Sequence, residues 1–323
     1  MVPTTILPAS SSPDTVIETD RLGRSFGGFW AVRGLALQVR RGEIFGLVGP
    51  DGAGKTTTMR LLTGILPPSE GSATVAGFPI EGGEEQLKTR ISYMSQRFGL
   101  YGDLTVEENL RFYGDLYEVP RKERGPLEER LLGFSNLTPF RKRLASNLSG
   151  GMKQKLGLAC ALIHKPEILF LDEPTNGVDP VSRRDFWRIL YAMLKEGVTV
   201  FVSTAYLDEA ERCSRVGLMH RGRLIQCDTP QRLKQGIPGL LVELEADRPR
   251  EAREALAGRF DSNRVSLFGG KLHLYASGED EVELARLALR EAGIAVLSEK
   301  AIPPTLEDVF IHQVTHTPEE AGS

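Results

Sequence analysis

Eight residues, Gly49-Pro50-Asp51-Gly52-Ala53-Gly54-Lys55-Thr56, constrain this chain more than any other stretch. They match the spacing G-x-x-x-x-G-K-[ST] in full, directly after the apolar run 44–48 and at the start of a helical pattern over about 54–66. A strand, a glycine-rich turn and a helix in that order point successive backbone N–H groups into one concavity. The helix N-terminus adds positive potential there. Such a concavity fits a polyphosphate. Lys55 would reach the β- and γ-phosphates, and the Thr56 hydroxyl would ligate Mg²⁺.

The surrounding pattern supplies the rest of that architecture. Residues 35–39 alternate apolar and polar, Arg41-Gly42-Glu43 turns, and the helix after the loop stops at Pro67-Pro68. Residues 168–171 and 198–202 are continuous apolar runs, as strands covered on both faces are. Between them Asp179-Pro180 opens a helix and Gly197 closes it. This alternation predicts an α/β fold with a mainly parallel sheet. Asp172 ends the 168–171 run, so a core strand delivers a carboxylate to the sheet edge where α/β folds bind ligands. It can hold the hydration shell of Mg²⁺. Glu173 follows at once and points elsewhere, placed to orient or deprotonate a water.

Two segments break the rhythm. Residues from about 98 to 150 are mostly helical, with Thr105-Val106-Glu107-Glu108 as a capping box, and predict a helical insertion. After Gly236-Ile237-Pro238-Gly239 the order becomes strand 241–245, helix 250–260, hairpin 265–268 and 271–275, helix 281–292, strand 294–298. That order suggests a small α+β, ferredoxin-like domain. The expected organisation is a disordered tail at 1–15, a nucleotide domain at 16–236, an accessory domain at 240–314 and a tail at 315–323.

Composition excludes several classes. A formal charge of −3 gives no polycationic signal for nucleic acid. Cys160, Cys213 and Cys227 form no CxxC pair and no even disulfide set, which points to a reducing compartment. Of the five histidines only His312 and His316 have i,i+4 spacing, with no cysteine nearby to complete a metal site. No apolar run approaches the roughly 20 residues of a membrane-spanning helix. Residues 1–15 lack the basic and apolar regions of a signal peptide. The expected location is cytoplasmic.

Leu148-Ser149-Gly150-Gly151-Met152-Lys153-Gln154-Lys155 resembles the signature sequence of ABC-type ATPases. Taken with the phosphate loop, Gln96, and Asn176-Gly177-Val178-Asp179 after Leu171-Asp172-Glu173-Pro174-Thr175, the chain resembles an ABC transporter ATP-binding subunit over about 16–235. Within that family it is similar to the drug and polysaccharide export branch, including daunorubicin-resistance subunits. Pro304-Thr305-Leu306-Glu307-Asp308-Val309-Phe310 resembles the end of their C-terminal extension.

The resemblance implies a P-loop NTPase cassette of the ABC type that takes ATP and Mg²⁺. Phe26 falls where the family stacks an aromatic on adenine. Gly49, Pro50, Asp51, Gly52, Ala53, Gly54, Lys55, Thr56 and Thr57 would hold the phosphates. Thr56, Gln96 and Asp172 would serve the metal. Glu173 and Gln96 would be the catalytic pair. Ser149, Gly150 and Gly151 would complete the ATP site of a second cassette, with Asp179 at the seam. One position departs from the pattern: in Val202-Ser203-Thr204-Ala205-Tyr206-Leu207-Asp208-Glu209-Ala210, Ala205 stands where the family has histidine. His164 and His220 lie in other elements and are no replacement. Slow hydrolysis is therefore expected.

The implied function is to energise a membrane exporter through a separate permease, with this subunit peripheral on the inner face of the membrane and no nucleic acid involved. The stretch 97–109 after Gln96 is the expected docking surface. Two other readings stay open: a regulatory nucleotide-binding subunit with weak hydrolysis, and a soluble ABC ATPase outside transport.

Overall fold

The computed structural model describes residues 14–316, apart from 97, 98, 238, 262 and 263. The chain divides between Leu224 and Ile225 into two compact units.

The first unit opens with β1 (Thr15–Phe26) and β2 (Phe29–Arg40), an antiparallel hairpin closed by Gly27-Gly28. Then come β3 (Ile44–Val48), α1 (Lys55–Leu62), β4 (Glu70–Val75), β5 (Phe78–Pro79), α2 (Glu84–Arg90) and β6 (Ile91–Met94). The helical insertion holds α3 (Val106–Leu116) and α4 (Arg121–Phe134), and α5 (Gly150–Ala161) follows it. The chain returns through β7 (Ile168–Asp172), α6 (Pro180–Lys195), β8 (Thr199–Thr204), α7 (Leu207–Ala210) and β9 (Arg215–His220) to β10 (Arg223–Asp228), within which the division falls.

Among the described residues these strands form two sheets. One has the order β10-β9-β3-β8-β7-β6, and β9, β3, β8, β7 and β6 run parallel. β3, β7 and β8 are buried along their whole length, as strands covered on both faces must be. Phe45, Phe170 and Phe201 pack ring against ring at the centre, with centroids 5.2 and 5.5 Å apart.

The second sheet, β2-β1-β4-β5, is antiparallel and adds to the parallel one expected. Its first strand is hard to read because a register shift between Thr19 and Leu22, with Arg21 at φ 44°, breaks the period-two pattern. The helix after the phosphate loop also ends earlier than expected, at Leu62. Gly64 adopts φ +69° just past it and turns the chain away.

The second unit contains α8 (Pro230–Gln235), β11 (Leu240–Ala246), α9 (Pro249–Ala257), β12 (Val265–Phe268), β13 (Lys271–Ala276), α10 (Glu279–Glu291), β14 (Val296–Ile302) and α11 (Leu306–His316). Its sheet has the order β12-β13-β11-β14, with every adjacent pair antiparallel. With α9 and α10 inserted between strands, that is the ferredoxin-like topology. The last strand starts later than expected, because Gly293 at φ +67° and a bond from Ile294 N to Leu289 O (2.9 Å) prolong the helix closure. One core of Val242, Leu244, Leu256, Leu272, Leu274 and Leu289 holds the sheet against its helices.

Candidate functional site

The glycine-rich turn joins β3 to α1. Gly54, at φ +104°, caps α1, and a Cβ there would lie 2.3 Å from the Ala31 carbonyl oxygen. A Cβ on Gly49 would lie 2.1 Å from the Met219 carbonyl oxygen. Neither position accepts a side chain. The turn borders a cleft of about 320 Å³ whose walls include Gly52, Lys55, Thr56, Thr57, Gln96 and Glu173, together with Asp51, Gly54 and Asn176.

Lys55 is only 4% exposed, and its ammonium has three internal acceptors. Nζ donates to the carbonyl oxygens of Gly49 (2.8 Å) and Pro50 (3.0 Å), and it pairs with Glu173 Oε1 at 3.1 Å. The Thr56 hydroxyl donates to Asp172 Oδ1 at 3.1 Å. Asp172, buried at the end of β7, also accepts from Ser203 Oγ (2.7 Å) and from the Tyr93 hydroxyl (3.2 Å). Burial, and then the neighbouring Asp172 carboxylate, push the Tyr93 phenol up to about 12, so it remains a donor at neutral pH. Hydroxyl and carboxylate oxygens a hydrogen-bond length apart form a hard donor set, which suits Mg²⁺.

Glu173 sits at φ 48°, in the left-handed region that side chains rarely occupy. Its N–H donates to Ser203 Oγ (3.0 Å) and to the Ser203 carbonyl (3.2 Å), which hold the strained turn in place. Strain of this sort persists where the surroundings over-determine it. Its carboxylate Oε2 accepts from Gln96 Nε2 at 3.3 Å and from Asn176 Nδ2 at 3.4 Å. Lys55, Thr56, Gln96, Asp172 and Glu173 thus meet in one place. Pro50 and Ala53 shape the loop, with Ala53 N bonded to Pro50 O at 3.1 Å.

Other predicted residues lie elsewhere on this chain. Ser149 caps α5 by accepting from Met152 N at 3.3 Å. Gly150 opens that helix, and Gly151 packs so closely on Ser182 that a Cβ would lie 2.3 Å from its Oγ. Asp179 caps α6, accepting from Ser182 N (2.9 Å) and Val181 N (3.1 Å). Bonds from Ser182 above all hold its carboxyl below the usual range. None of these four residues lines the cleft. Phe26, at the end of β1, is 47% exposed, with the Arg24 guanidinium 4.8 Å over its ring. Ala205 is exposed just after β8. His164 stacks on Tyr117 at 3.9 Å, and His220 ends β9; neither lines the cleft.

Reading the sequence missed Tyr93, Ser203 and Asn176. Tyr93 and Ser203 act across strands through contacts distant in sequence, so no local pattern marks them. Asn176 and Ser203 both lie within family motifs, but their own spacing marks no contact.

A family model described as ABC transporter matches residues 32–176. The chain is 45% identical over 221 residues to the "Probable multidrug ABC transporter ATP-binding protein YbhF" of Escherichia coli K12, which covers 68% of this chain. The chain spans 38% of that relative's length. It is 36% identical over 304 residues to "Nod factor export ATP-binding protein I" of Sinorhizobium fredii, covering 93% of this chain and 86% of the relative. Among solved structures, cbiO1 of Clostridium perfringens, described as part of the ABC transporter complex cbiONQ, superposes with a TM-score of 0.64 at 25% identity. That superposition covers 76% of this chain and 96% of the other.

Proposed function

This chain belongs to the ABC transporter family of ATP-binding proteins, and on that premise we propose that it binds and hydrolyses ATP to drive export through a separate membrane permease. The observation that carries this reading is the convergence of Lys55, Thr56 and Glu173 on one cleft beside the N-terminus of α1, with the buried Asp172 bonded to Thr56 behind it. The two relatives named above, one a multidrug and one a Nod factor export protein by name, support export as the kind of transport.

The loop N–H groups and Lys55 bind the polyphosphate, whose oxygens draw the ammonium from the acceptors that hold it. Thr56 and Asp172 would hold Mg²⁺, with Gln96 beside them. When bound there, that ion supplies Lewis-acid polarisation of the phosphate oxygens. Glu173 orients a water in line with the γ-phosphorus and takes its proton as the bond to the β-bridging oxygen breaks. Ser149 and Gly150, exposed at the start of α5 outside the cleft, with Gly151 buried behind them, reach the γ-phosphate of a second cassette, and Asp179 lies at that seam. Phe26 offers an exposed π face to the adenine.

No helix among the described residues is long and apolar enough to cross a membrane. In this reading the permease is a separate partner, and this subunit sits against it from the cytoplasmic side. The permease contact is assigned to the surface after Gln96, where Leu100, Gly102, Ala145, Ser146 and Lys153 border a cleft of about 420 Å³. Arg97 and Phe98, part of the same expected surface, lie outside the described residues. A regulatory role with weak hydrolysis is the second reading, and Ala205 favours it.

Two measurements test the proposal. Isothermal titration should show tight ATP binding that Lys55→Ala abolishes, and unchanged affinity in that variant would sink the phosphate assignment. Cell fractionation should show the protein leaving the membrane fraction when its neighbouring permease is deleted. A protein that never sediments with membranes would count against export.

A further inference from the structure

We propose that Tyr206, acting through Asn176, is the positioning residue that holds the Glu173 carboxylate in this chain, where position 205 offers only a methyl group. The proposal rests on the reading of Glu173 as the group that orients the attacking water.

Among the described residues, three groups touch the Glu173 carboxylate. Lys55 meets Oε1, while Gln96 and Asn176 both donate to Oε2. A bound phosphate competes for Lys55, so the amide donors on Oε2 are the contacts that persist. The Asn176 amide is itself oriented. A carboxylate only accepts hydrogen bonds, so Nδ2 must face Glu173, and Oδ1 then faces the Tyr206 hydroxyl, which donates to it at 3.3 Å. Rotating the amide would set oxygen against oxygen.

Tyr206 is fixed in turn. The Arg183 guanidinium lies 4.4 Å from its ring centroid, and Tyr206 N donates to Thr204 Oγ1 at 3.0 Å. Arg183 forms an ion pair with the fully buried Glu209 at 3.4 Å. Glu209 also accepts from Thr175 Oγ1 (2.5 Å) and Thr204 Oγ1 (2.9 Å). One buried carboxylate therefore ties the loop that carries Asn176 to the turn that carries Tyr206. The relay runs from that anchor through Tyr206 and Asn176 to Glu173, and it bypasses Ala205.

Tyr206 is 37% exposed, so Tyr206→Phe removes the hydroxyl without opening the core. Steady-state hydrolysis by Tyr206→Phe and by Asn176→Ala should each fall about three- to tenfold in kcat, the scale of one hydrogen bond, with KM unchanged. The double variant should be no slower than the slower single one. An unchanged kcat in Tyr206→Phe, a parallel rise in KM, or multiplying losses in the double variant would overturn the proposal. A second arm needs no turnover: 3-fluorotyrosine placed at 206 in the nucleotide-free protein should give a ¹⁹F resonance that moves on Asn176→Ala and on Glu173→Gln. A resonance unmoved by both overturns the relay. Absence of any hydrolysis in the wild-type protein alongside a responsive resonance would instead overturn the hydrolytic reading and leave the relay standing.

Discussion

Lys55 directs all three N–H donors of its ammonium into the protein, toward Gly49, Pro50 and Glu173, so a nucleotide must replace bonds already made. Charge-assisted bonds to phosphate are strong enough to do so, which makes the site selective for a dense anionic ligand over weaker ones. In the proposed mechanism, position 205 is the weak point. A polar contact to developing negative charge typically supplies on the order of 10²–10³ in rate, and an alanine methyl supplies none. The Tyr206–Asn176 relay orients Glu173 but places no donor on the γ-phosphate. Ala205→His should therefore raise steady-state ATPase of the purified homomer by at least about tenfold. A wild-type homomer already turning over several times per second, with no gain from histidine, would show that this position does not limit the rate. Binding should change little, because the loop N–H groups and Lys55 remain.

Within the helical insertion, order depends on one buried amide. Asn109, on α3, accepts from Tyr101 N (2.9 Å) and donates to the carbonyls of Tyr101 (3.0 Å), Leu104 (3.2 Å) and Thr105 (2.9 Å). Thr105 closes a capping box with Glu108 and sets where α3 begins. Asn109→Ala removes the acceptor of Tyr101 N and a second donor from carbonyls that keep their backbone partners, and should cost about 1–3 kcal/mol by denaturant titration. The same variant should weaken permease binding in a pull-down while ATP affinity is retained. Equal loss of both would show that the loop does not act as a separate docking element.

In the second unit, Arg264 clamps Glu281 near the start of α10, and Ser277 N donates to the same carboxylate at 2.6 Å. The Arg264 guanidinium first, and then that backbone bond, bring the Glu281 carboxyl down to about 2. A carboxyl depressed in the folded state stabilises it fully above its ordinary value of about 4.5 and loses that effect as pH falls through about 2. The stability gap between wild type and Glu281→Gln, followed by circular dichroism, should persist at neutral pH and close between about pH 4.5 and 2. A gap independent of pH would assign the effect to packing.

For the whole molecule, the separation of the cleft from the start of α5 matters most. The cleft is built at the C-terminal edge of the parallel sheet, while Ser149 and Gly150 stand exposed at the start of α5 and do not border it. In the proposed mechanism the start of α5 serves the site of another cassette, so each site is completed by pairing. Glu173→Gln keeps the binding groups and removes the base, so with ATP and its partner cassette it should persist as a dimer in light scattering. A monomeric profile under those conditions would argue against a shared site.

Much of this was legible in one dimension because the relevant physics is local. The phosphate loop needs consecutive glycines between an apolar strand and a helix, and the buried strands β7 and β8 appear as unbroken apolar runs. The alternation of strand and helix after Gly239 likewise marks the ferredoxin-like order, since each element carries its own period. The antiparallel sheet was obscured because a bulge near Arg21 shifts the pattern of β1 by one face. Gly64 ends α1 early and Gly293 delays the start of β14 through backbone conformation, which hydrophobic periodicity does not record. Contacts across the sheet lie further out of reach. Tyr93 meets Asp172, Ser203 holds both Asp172 and the Glu173 backbone, and Tyr206 meets Asn176 only after β6, β7 and β8 pair in register. Residue types and local spacing determined which groups could do phosphate chemistry. The pairing of distant strands decided which neighbours hold those groups, because hydrogen bonds depend on distances that only the folded chain sets.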